Sequence, residues 1–188
     1  SDLVVEMCNA SQYMDIRNDA GVNAGGTPFI SQEELEKYHN GEPGYIGTDW
    51  YDVTFKPFAL MDQHTISTEG GNDFATYFVS MGYQNEGSIL RSNDMYYKKY
   101  TYKSSITANL TKNLVASVIL SGRFDNKFQP GGSYFNIFKG TRVSLPTDEV
   151  YANDNPDYLS NVYGNLHPLA LSDADISGYT STKGKLFN

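Results

Sequence analysis

The 188-residue sequence has little of what marks most functional classes of protein. Its single cysteine, Cys8, rules out an intrachain disulfide and a cysteine-based zinc site. Basic residues are few, with 14 Lys and Arg against 22 Asp and Glu. A nucleic-acid partner is therefore not expected, because phosphate lattices select for clustered basic side chains. No apolar run approaches the ~18 residues of a membrane helix.

The amino terminus also lacks a targeting signal. Ser1–Met7 has neither the basic start nor the long apolar run of a signal peptide. We therefore expect the sequence to be a mature product or an internal fragment.

The chain has instead many uncharged polar and aromatic residues. Hydrophobic residues make up 39% and charged residues 19%, and there are 15 tyrosines. Both fractions are below the usual ~45–50% and ~25% of globular domains. This composition favours an extracytoplasmic β protein over a cytosolic enzyme.

No group of residues has the spacing of a catalytic site. His39, His64 and His167 lie far apart in sequence, and no Gly-x-Ser-x-Gly motif or phosphate-binding glycine loop occurs. We therefore expect no enzymatic activity and no cofactor. Residues 153–157 (NDNPD) offer several oxygens for a calcium ion, but Pro156 is equally typical of a rigid turn, and both interpretations stay open.

Residues 1–60 are predicted to form a long loop with two short helices. Apolar spacing indicates one helix at Ala10–Ala20 and another at Ser31–Tyr38, where Ser31 and Glu34 form a capping box. Glycine and proline between and after them indicate loop.

Residues 61–125 change to a period of two, which predicts four antiparallel strands. They are Asp62–Glu69, Asn72–Gln84, Met95–Leu110 and Leu114–Phe124. Short turns at Gly70–Gly71 and 111–113 alternate with longer segments at 85–94 and 126–188. The alternation is typical of an outer-membrane β-barrel with periplasmic turns and extracellular loops, and the strands are long enough to cross a bilayer. The alternative is a soluble β-sandwich, whose strands also alternate.

The period assigns a face to each side chain. The residues predicted to face lipid are Tyr77, Val79, Met81, Ile106, Val118 and Leu120. Those predicted to face the lumen are Thr76, Ser80, Lys103, Thr107 and Arg123.

Residues 126–188 are predicted to form a long extracellular loop. Tyr134, Phe135 and Phe138 recur at helical spacing, which predicts a helix within 132–142 that Gly140 ends. Pro146, Pro156 and Pro168 should divide the remainder into ordered loop without strands.

An ordered series of short motifs resembles the SusC/RagA-like family. The motifs are Thr48-Asp49-Trp50, then QHTIS at 63–67, GGN at 70–72, YFVS at 77–80, GY at 82–83 and EGSI at 86–89. Ser11–Ala20 is similar to a helix that precedes them in the family, and Tyr151–Leu159 lies where members carry a long extracellular segment. The resemblance covers most of residues 10–125.

The resemblance implies a TonB-dependent outer-membrane transporter of a Gram-negative cell. Family members are several times longer, with a plug domain and a closed barrel of twenty-two strands. The chain would then be an all-β segment, an antiparallel meander within that barrel, with short helices in its extracellular loops. The implied partners are a SusD-like surface lipoprotein, the TonB complex, outer-membrane lipid and a glycan or peptide substrate. The alternative function is a secreted or surface β-sandwich that binds carbohydrate or acts as an adhesin.

Aromatic residues in the predicted extracellular loops are the candidate binding residues, because flat aromatic faces bind sugars. They are Trp50, Tyr51, Tyr134, Phe135 and Phe138. They would contact the substrate or the lipoprotein, or else anchor the loops on each other.

Overall fold

The computed structural model describes residues 7–188, which divide into two compact units. The helical unit comprises the residues up to Phe55 together with Gly132–Ser177. The sheet unit comprises Lys56–Gly131 together with Gly178–Asn188. No helix among the described residues is both long and apolar enough to cross a membrane.

The helical unit consists of short helices joined by ordered loops. Within the described residues these are α1 (Ala10–Asn23), α2 (Gln32–Asn40), α3 (Trp50–Thr54), α4 (Tyr134–Val143), α5 (Pro168–Ser172) and α6 (Ala174–Ser177), with 3₁₀ turns at Ala152–Asp154 and Tyr163–Asn165. Both helices predicted in the first sixty residues are present, as α1 and α2. The Ser31 hydroxyl accepts a hydrogen bond from the Glu34 amide at 3.2 Å, which is one of the two bonds of the predicted capping box. The complete box is at α1, where the side chains of Asn9 and Gln12 each accept a hydrogen bond from the other's backbone amide.

Two expectations for the later helices are wrong in detail. Helix α4 is present but does not end at Gly140. Gly140 instead allows the backbone of α4 to lie close to the backbone of Leu166, because a Cβ at this position would collide with the Leu166 carbonyl oxygen. Pro168 does not break structure but begins α5, at the first helical position, where proline's missing amide hydrogen costs nothing.

The core of the helical unit is built from aromatic and aliphatic side chains of several helices. Phe55 packs on Phe138, with ring centroids 4.7 Å apart, and Phe138 packs on Tyr134 at 4.9 Å. The buried apolar residues of this unit are Ala10, Met14, Leu35, Trp50, Phe55, Ile137 and Val162.

The sheet unit is one antiparallel meander in the order β1-β2-β3-β4-β5. Its strands are β1 (Met61–Gly71), β2 (Ala75–Glu86), β3 (Tyr96–Thr111), β4 (Leu114–Pro130) and β5 (Tyr179–Phe187). The predicted antiparallel meander is confirmed, and short connections at 72–74 and 112–113 alternate with long ones at 87–95 and 131–178. The long connections therefore all join the sheet at one end.

Strand β5 was not predicted, and β4 continues beyond its predicted end at Phe124. Both differences have one cause. The outer half of β4, Gly122–Pro130, pairs with β5, which returns after the whole segment 131–178. Because that partner is distant in sequence, the period of β4 alone does not show where the strand ends.

The first hairpin turn also differs from the prediction. Gly70 and Gly71 belong to β1, and the turn is at residues 72–74. The Asn72 side chain closes it by accepting hydrogen bonds from the amides of Phe74 and Ala75, both at 2.9 Å. Gly70 is needed because the ring of Tyr77, its cross-strand neighbour, lies where a Cβ would be.

Candidate functional site

The Thr48-Asp49-Trp50 motif joins two distant segments of the helical unit. The Thr48 hydroxyl donates to the Asp148 carbonyl at 2.7 Å, and the Thr48 amide donates to the Pro146 carbonyl at 2.8 Å. The Trp50 ring N–H donates to the Leu145 carbonyl at 2.8 Å. The motif therefore holds residues 48–50 against 145–148.

Asp49 gives the motif its local structure. Its carboxylate accepts hydrogen bonds from the amides of Tyr51 and Asp52, at 2.9 and 3.0 Å, and so caps helix α3. The helix begins at Trp50 and carries the indole inward, so that only 4% of the residue is exposed.

His167 completes this anchor. Its ring lies edge-on to Trp50, with centroids 5.3 Å apart, and its Nε2 is 3.1 Å from the Val150 carbonyl oxygen. Only an Nε2–H can donate to that carbonyl, so Nδ1 is the unprotonated nitrogen, and it is buried without a hydrogen-bond partner. Burial lowers the pKa of His167, which is 8% exposed, and the Val150 carbonyl and Asp148 oppose this more weakly.

A cavity of about 750 Å³ lies beside the motif. Three stretches of the helical unit line it: residues 7–10 with 12 and 13, residues 47–51, and residues 141–146. The Ser144 hydroxyl, on a residue 5% exposed, has no hydrogen-bond partner among the described residues. The volume of the cavity lies within the ~300–1,000 Å³ of small-molecule sites, and its lining includes the charged residues Asp49 and Arg142.

The structure brings three of the five predicted aromatic residues together. Tyr51 contacts Phe55, whose ring packs on Phe138, and Phe138 contacts Tyr134. Trp50 contacts His167 instead, and of the five only Trp50 and Tyr51 line the cavity. Phe135 is 75% exposed and is the most accessible of the five.

The register of the sheet sorts the predicted strand residues into two faces. In antiparallel strands, directly opposed residues share a face. Tyr77 pairs with Ile106 and Ile106 with Val118, while Ser80 pairs with Lys103. All six residues predicted to face lipid therefore lie on one face, here called the apolar face, and all five predicted to face the lumen lie on the other, the polar face. The contact of either face with lipid or lumen stays a prediction.

The apolar face is graded from the middle of the strands toward the long-loop end. Its central rows hold Tyr77, Ile106 and Val118, then Val79 and Leu120 with the small polar Thr68 and Ser104, then Ile66, Met81 and Tyr102. An aromatic row follows, made of His64, Tyr83, Tyr100 and Phe124 with Lys185 beside it. Beyond it an outer row holds Asp62, Asn85, Lys98, Asn126 and Lys183, and Tyr96, Phe128 and Ser181 follow on the same face.

The rings of the aromatic row contact one another across the strands. Tyr83 and Tyr100 have centroids 5.1 Å apart, and His64 stacks on Tyr83 at 6.4 Å. The lysines at this end were not predicted, because Lys183 and Lys185 lie on the unpredicted β5. The alternation of Tyr179, Ser181, Lys183, Lys185 and Phe187 was the signal that could have found them.

The proposed calcium segment forms a tight turn. Asn155 accepts a hydrogen bond from the Asp157 amide at 3.0 Å, and Tyr151 and Leu159 form an isolated bridge across the segment. Within residues 7–188 no three His, Cys, Asp or Glu side chains are grouped so as to hold a metal ion. Calcium binding here stays a prediction.

Comparison with known proteins adds one relationship. No protein-family model matches the sequence. The chain is 23% identical over 146 residues to the TonB-dependent receptor SusC of Bacteroides thetaiotaomicron. The aligned region covers 71% of this chain and 14% of that receptor, so the chain spans a small part of the relative's length. This similarity supports a distant relation to TonB-dependent receptors.

Proposed function

We propose that the chain is a segment of a TonB-dependent transporter in the outer membrane of a Gram-negative cell. The transporter imports a glycan or a peptide together with a SusD-like lipoprotein, is powered through the TonB complex, and performs no catalysis. The grading of the apolar face supports this proposal most strongly. An apolar band bordered by aromatic rings and then by polar and charged residues is the pattern of a strand surface that crosses a bilayer and its interface.

Exposure of the sheet supports the same proposal. Ile106, Val118 and Leu120 are 52%, 57% and 56% exposed, although each lies in the middle of a strand pair. A row of aliphatic side chains in water costs free energy that contact with lipid would recover. Within residues 7–188 no strand pairs with the outer edge of β1 or of β5, and unpaired edges are not tolerated in lipid. We therefore propose that further strands complete a closed barrel.

The β-sandwich alternative requires a second sheet to cover the apolar face. Every named strand among the described residues belongs to the same sheet. A sandwich would thus need covering strands from elsewhere, and it would be soluble without detergent.

Fractionation of cells that produce the full-length protein tests the proposal. We expect the protein in the outer-membrane fraction, resistant to alkaline extraction, and migrating faster on gels before boiling than after, as closed barrels do. Recovery as a monodisperse soluble protein would instead establish the sandwich. Loss of growth on one glycan or peptide source after gene deletion would identify the substrate class.

The helical unit is the proposed site of substrate and lipoprotein contact, because the long connections of a barrel face the outside of the cell. Phe135 is the most accessible of its candidate residues, and Trp50 and Tyr51 line the cavity beside the motif. Removal of the whole segment 131–142 would also remove buried Ile137 and Thr141, so a point substitution is the sharper test.

The variant Phe135→Asp should reduce uptake or lipoprotein capture, because it places charge on an apolar contact. Phe29→Asp is the matched control, since Phe29 is 56% exposed in the same unit. Normal uptake and normal lipoprotein pull-down by Phe135→Asp, at equal surface expression, would contradict this assignment. Such a result would not contradict the proposed membrane location.

A further inference from the structure

Three lysines lie together on the apolar face at the long-loop end of the sheet. Lys98 and Lys183 flank Asn126 in the outer row, and Lys185 is opposite Phe124 in the aromatic row. With strands about 4.8 Å apart and alternate residues about 6.8 Å apart, the three backbone positions fall within roughly 12 Å. They form a cationic corner, made of Lys98, Lys183 and Lys185.

The strands that carry the corner bring no carboxylate to this face, and Asp62, the acid of the outer row, lies on β1, two strands from Lys98, where it accepts a hydrogen bond from Asn85. The chain carries a formal net charge of −8, yet the residues of β3, β4 and β5 that share the face include no Asp or Glu. The nearby Asp125 lies on the polar face, where it pairs with Arg123 at 2.9 Å. Among the described residues none of the three ammonium groups makes an ion pair.

The surroundings of the corner are aromatic. Lys98 Nζ lies 5.1 Å from the centre of the Tyr96 ring, and Tyr96 stacks on Phe128 at 5.3 Å. Phe128 in turn stacks on Tyr179 at 5.1 Å. A lysine between aromatic rings at the border of an apolar band has its stem in the apolar layer and its ammonium group at the level of lipid headgroups.

We propose that the cationic corner binds the phosphate groups of an anionic lipid in the membrane leaflet at the long-loop end. The proposal rests on the proposed membrane function. Ammonium groups are compact point charges that bind phosphate. The three lysines lie close enough together to reach one lipid headgroup region, and no carboxylate of β3, β4 or β5 on this face competes with the phosphate for them. The lipid would occupy the outward surface of β3–β5, so the site is separate from any path for substrate through the lumen.

The test uses the full-length protein in vesicles of equimolar phosphatidylcholine and phosphatidylglycerol. The ratio of the two lipids that stay bound after detergent extraction is measured by mass spectrometry. The triple variant Lys98→Gln, Lys183→Gln, Lys185→Gln should lower the enrichment of phosphatidylglycerol, by about fivefold per lysine at low ionic strength. The triple arginine variant should retain it, since charge is kept.

The matched control removes the same charge from the polar face. Lys99, Lys103 and Lys127 lie on that face of β3 and β4, and their glutamine variants should leave the lipid ratio unchanged. Equal enrichment in wild type and the corner variant, or equal loss in the control, overturns the proposal.

If the corner variant does not insert into the membrane, the salt dependence of lipid enrichment in the wild-type protein tests the proposal instead. High salt screens exposed charges, so the enrichment must fall steeply as ionic strength rises. Enrichment that is absent, or that does not respond to salt, in an inserted barrel overturns the lipid site and leaves the proposed function intact. A protein that never enters the membrane overturns both.

Discussion

The helical unit has a core of buried large apolar side chains beside exposed ones such as Phe29 and Phe135, whereas nearly all large apolar side chains on the strands of the sheet unit are exposed or half-buried. Trp50 and Ile137 of the helical unit are 4% and 0% exposed, and Ile66 and Met81 of the sheet are 72% and 59% exposed. Burial of such a side chain stabilises a fold by about 1.5–3 kcal/mol. The helical unit obtains this stabilisation from its own core, and the sheet unit has to obtain it from its surroundings. Substitutions should therefore act differently in the two units.

The largest effect is expected in the core of the helical unit. Trp50→Ala should destabilise that unit by ~3–5 kcal/mol, because it removes a buried ring and the hydrogen bond to the Leu145 carbonyl. Hydrogen exchange of the full-length protein should show faster exchange in the helical unit and unchanged exchange in the sheet.

Phe135→Ala provides the comparison within the same unit. Its ring is mostly exposed, so the change should stay within about 0.5 kcal/mol. Equal effects of the two alanine variants would mean that Trp50 is not an anchor.

On the sheet, the next largest effect should depend on the face. Val79→Arg should cost ~2–4 kcal/mol if Val79 lies near the middle of the bilayer, because a cation would enter lipid. Ser80→Arg, one residue later on the polar face, should cost much less. The fraction of folded protein in lipid vesicles across a urea series measures both. A similar loss for both variants would show that the two faces meet the same medium.

The two units also differ in how much the sequence revealed. The period of β2, β3 and β4 shows their faces, because each strand pairs with its neighbour in sequence and side chains alternate by geometry. Strand β5 was not predicted, because its partner β4 is separated from it by residues 131–178. Its residues are mostly Thr, Ser and Lys, so the alternation of apolar and polar side chains is weak.

The candidate site in the helical unit shows the same limit. Local signals predicted α1, α2 and α4, which depend on caps and helical spacing. The contacts of Thr48 with Asp148 and of Trp50 with Leu145 join residues 100 and 95 positions apart. No local pattern encodes such pairs, so the sequence showed the aromatic residues without showing which of them are buried.

A smaller effect is expected where a glycine makes room on the apolar face. The ring of Tyr102 covers Gly122, where a Cβ would collide with it. Gly122→Ala should therefore cost ~1–3 kcal/mol through overpacking. In the double variant with Tyr102→Ala the cost of the added methyl group should disappear, as a double-mutant cycle in lipid vesicles would measure. If Gly122→Ala cost as much in the Tyr102→Ala background as in the wild type, the strain would not come from the Tyr102 ring.

The smallest effect concerns pH and separates the two units again. Burial lowers the pKa of His167 below its usual value of 6.5, so between the lowered and the usual value the unfolded chain binds more protons than the folded chain. The free energy of unfolding of the helical unit should therefore fall as pH decreases through 6.5 toward the lowered pKa, because the added proton on Nδ1 meets no acceptor. His167→Gln keeps a donor for the Val150 carbonyl but does not titrate, so this part of the pH dependence should vanish. Hydrogen exchange of the helical unit between about pH 7.5 and pH 5, corrected for the intrinsic exchange rate, measures it, with the sheet unit as internal reference. The same pH dependence in wild type and His167→Gln would assign the effect to other groups.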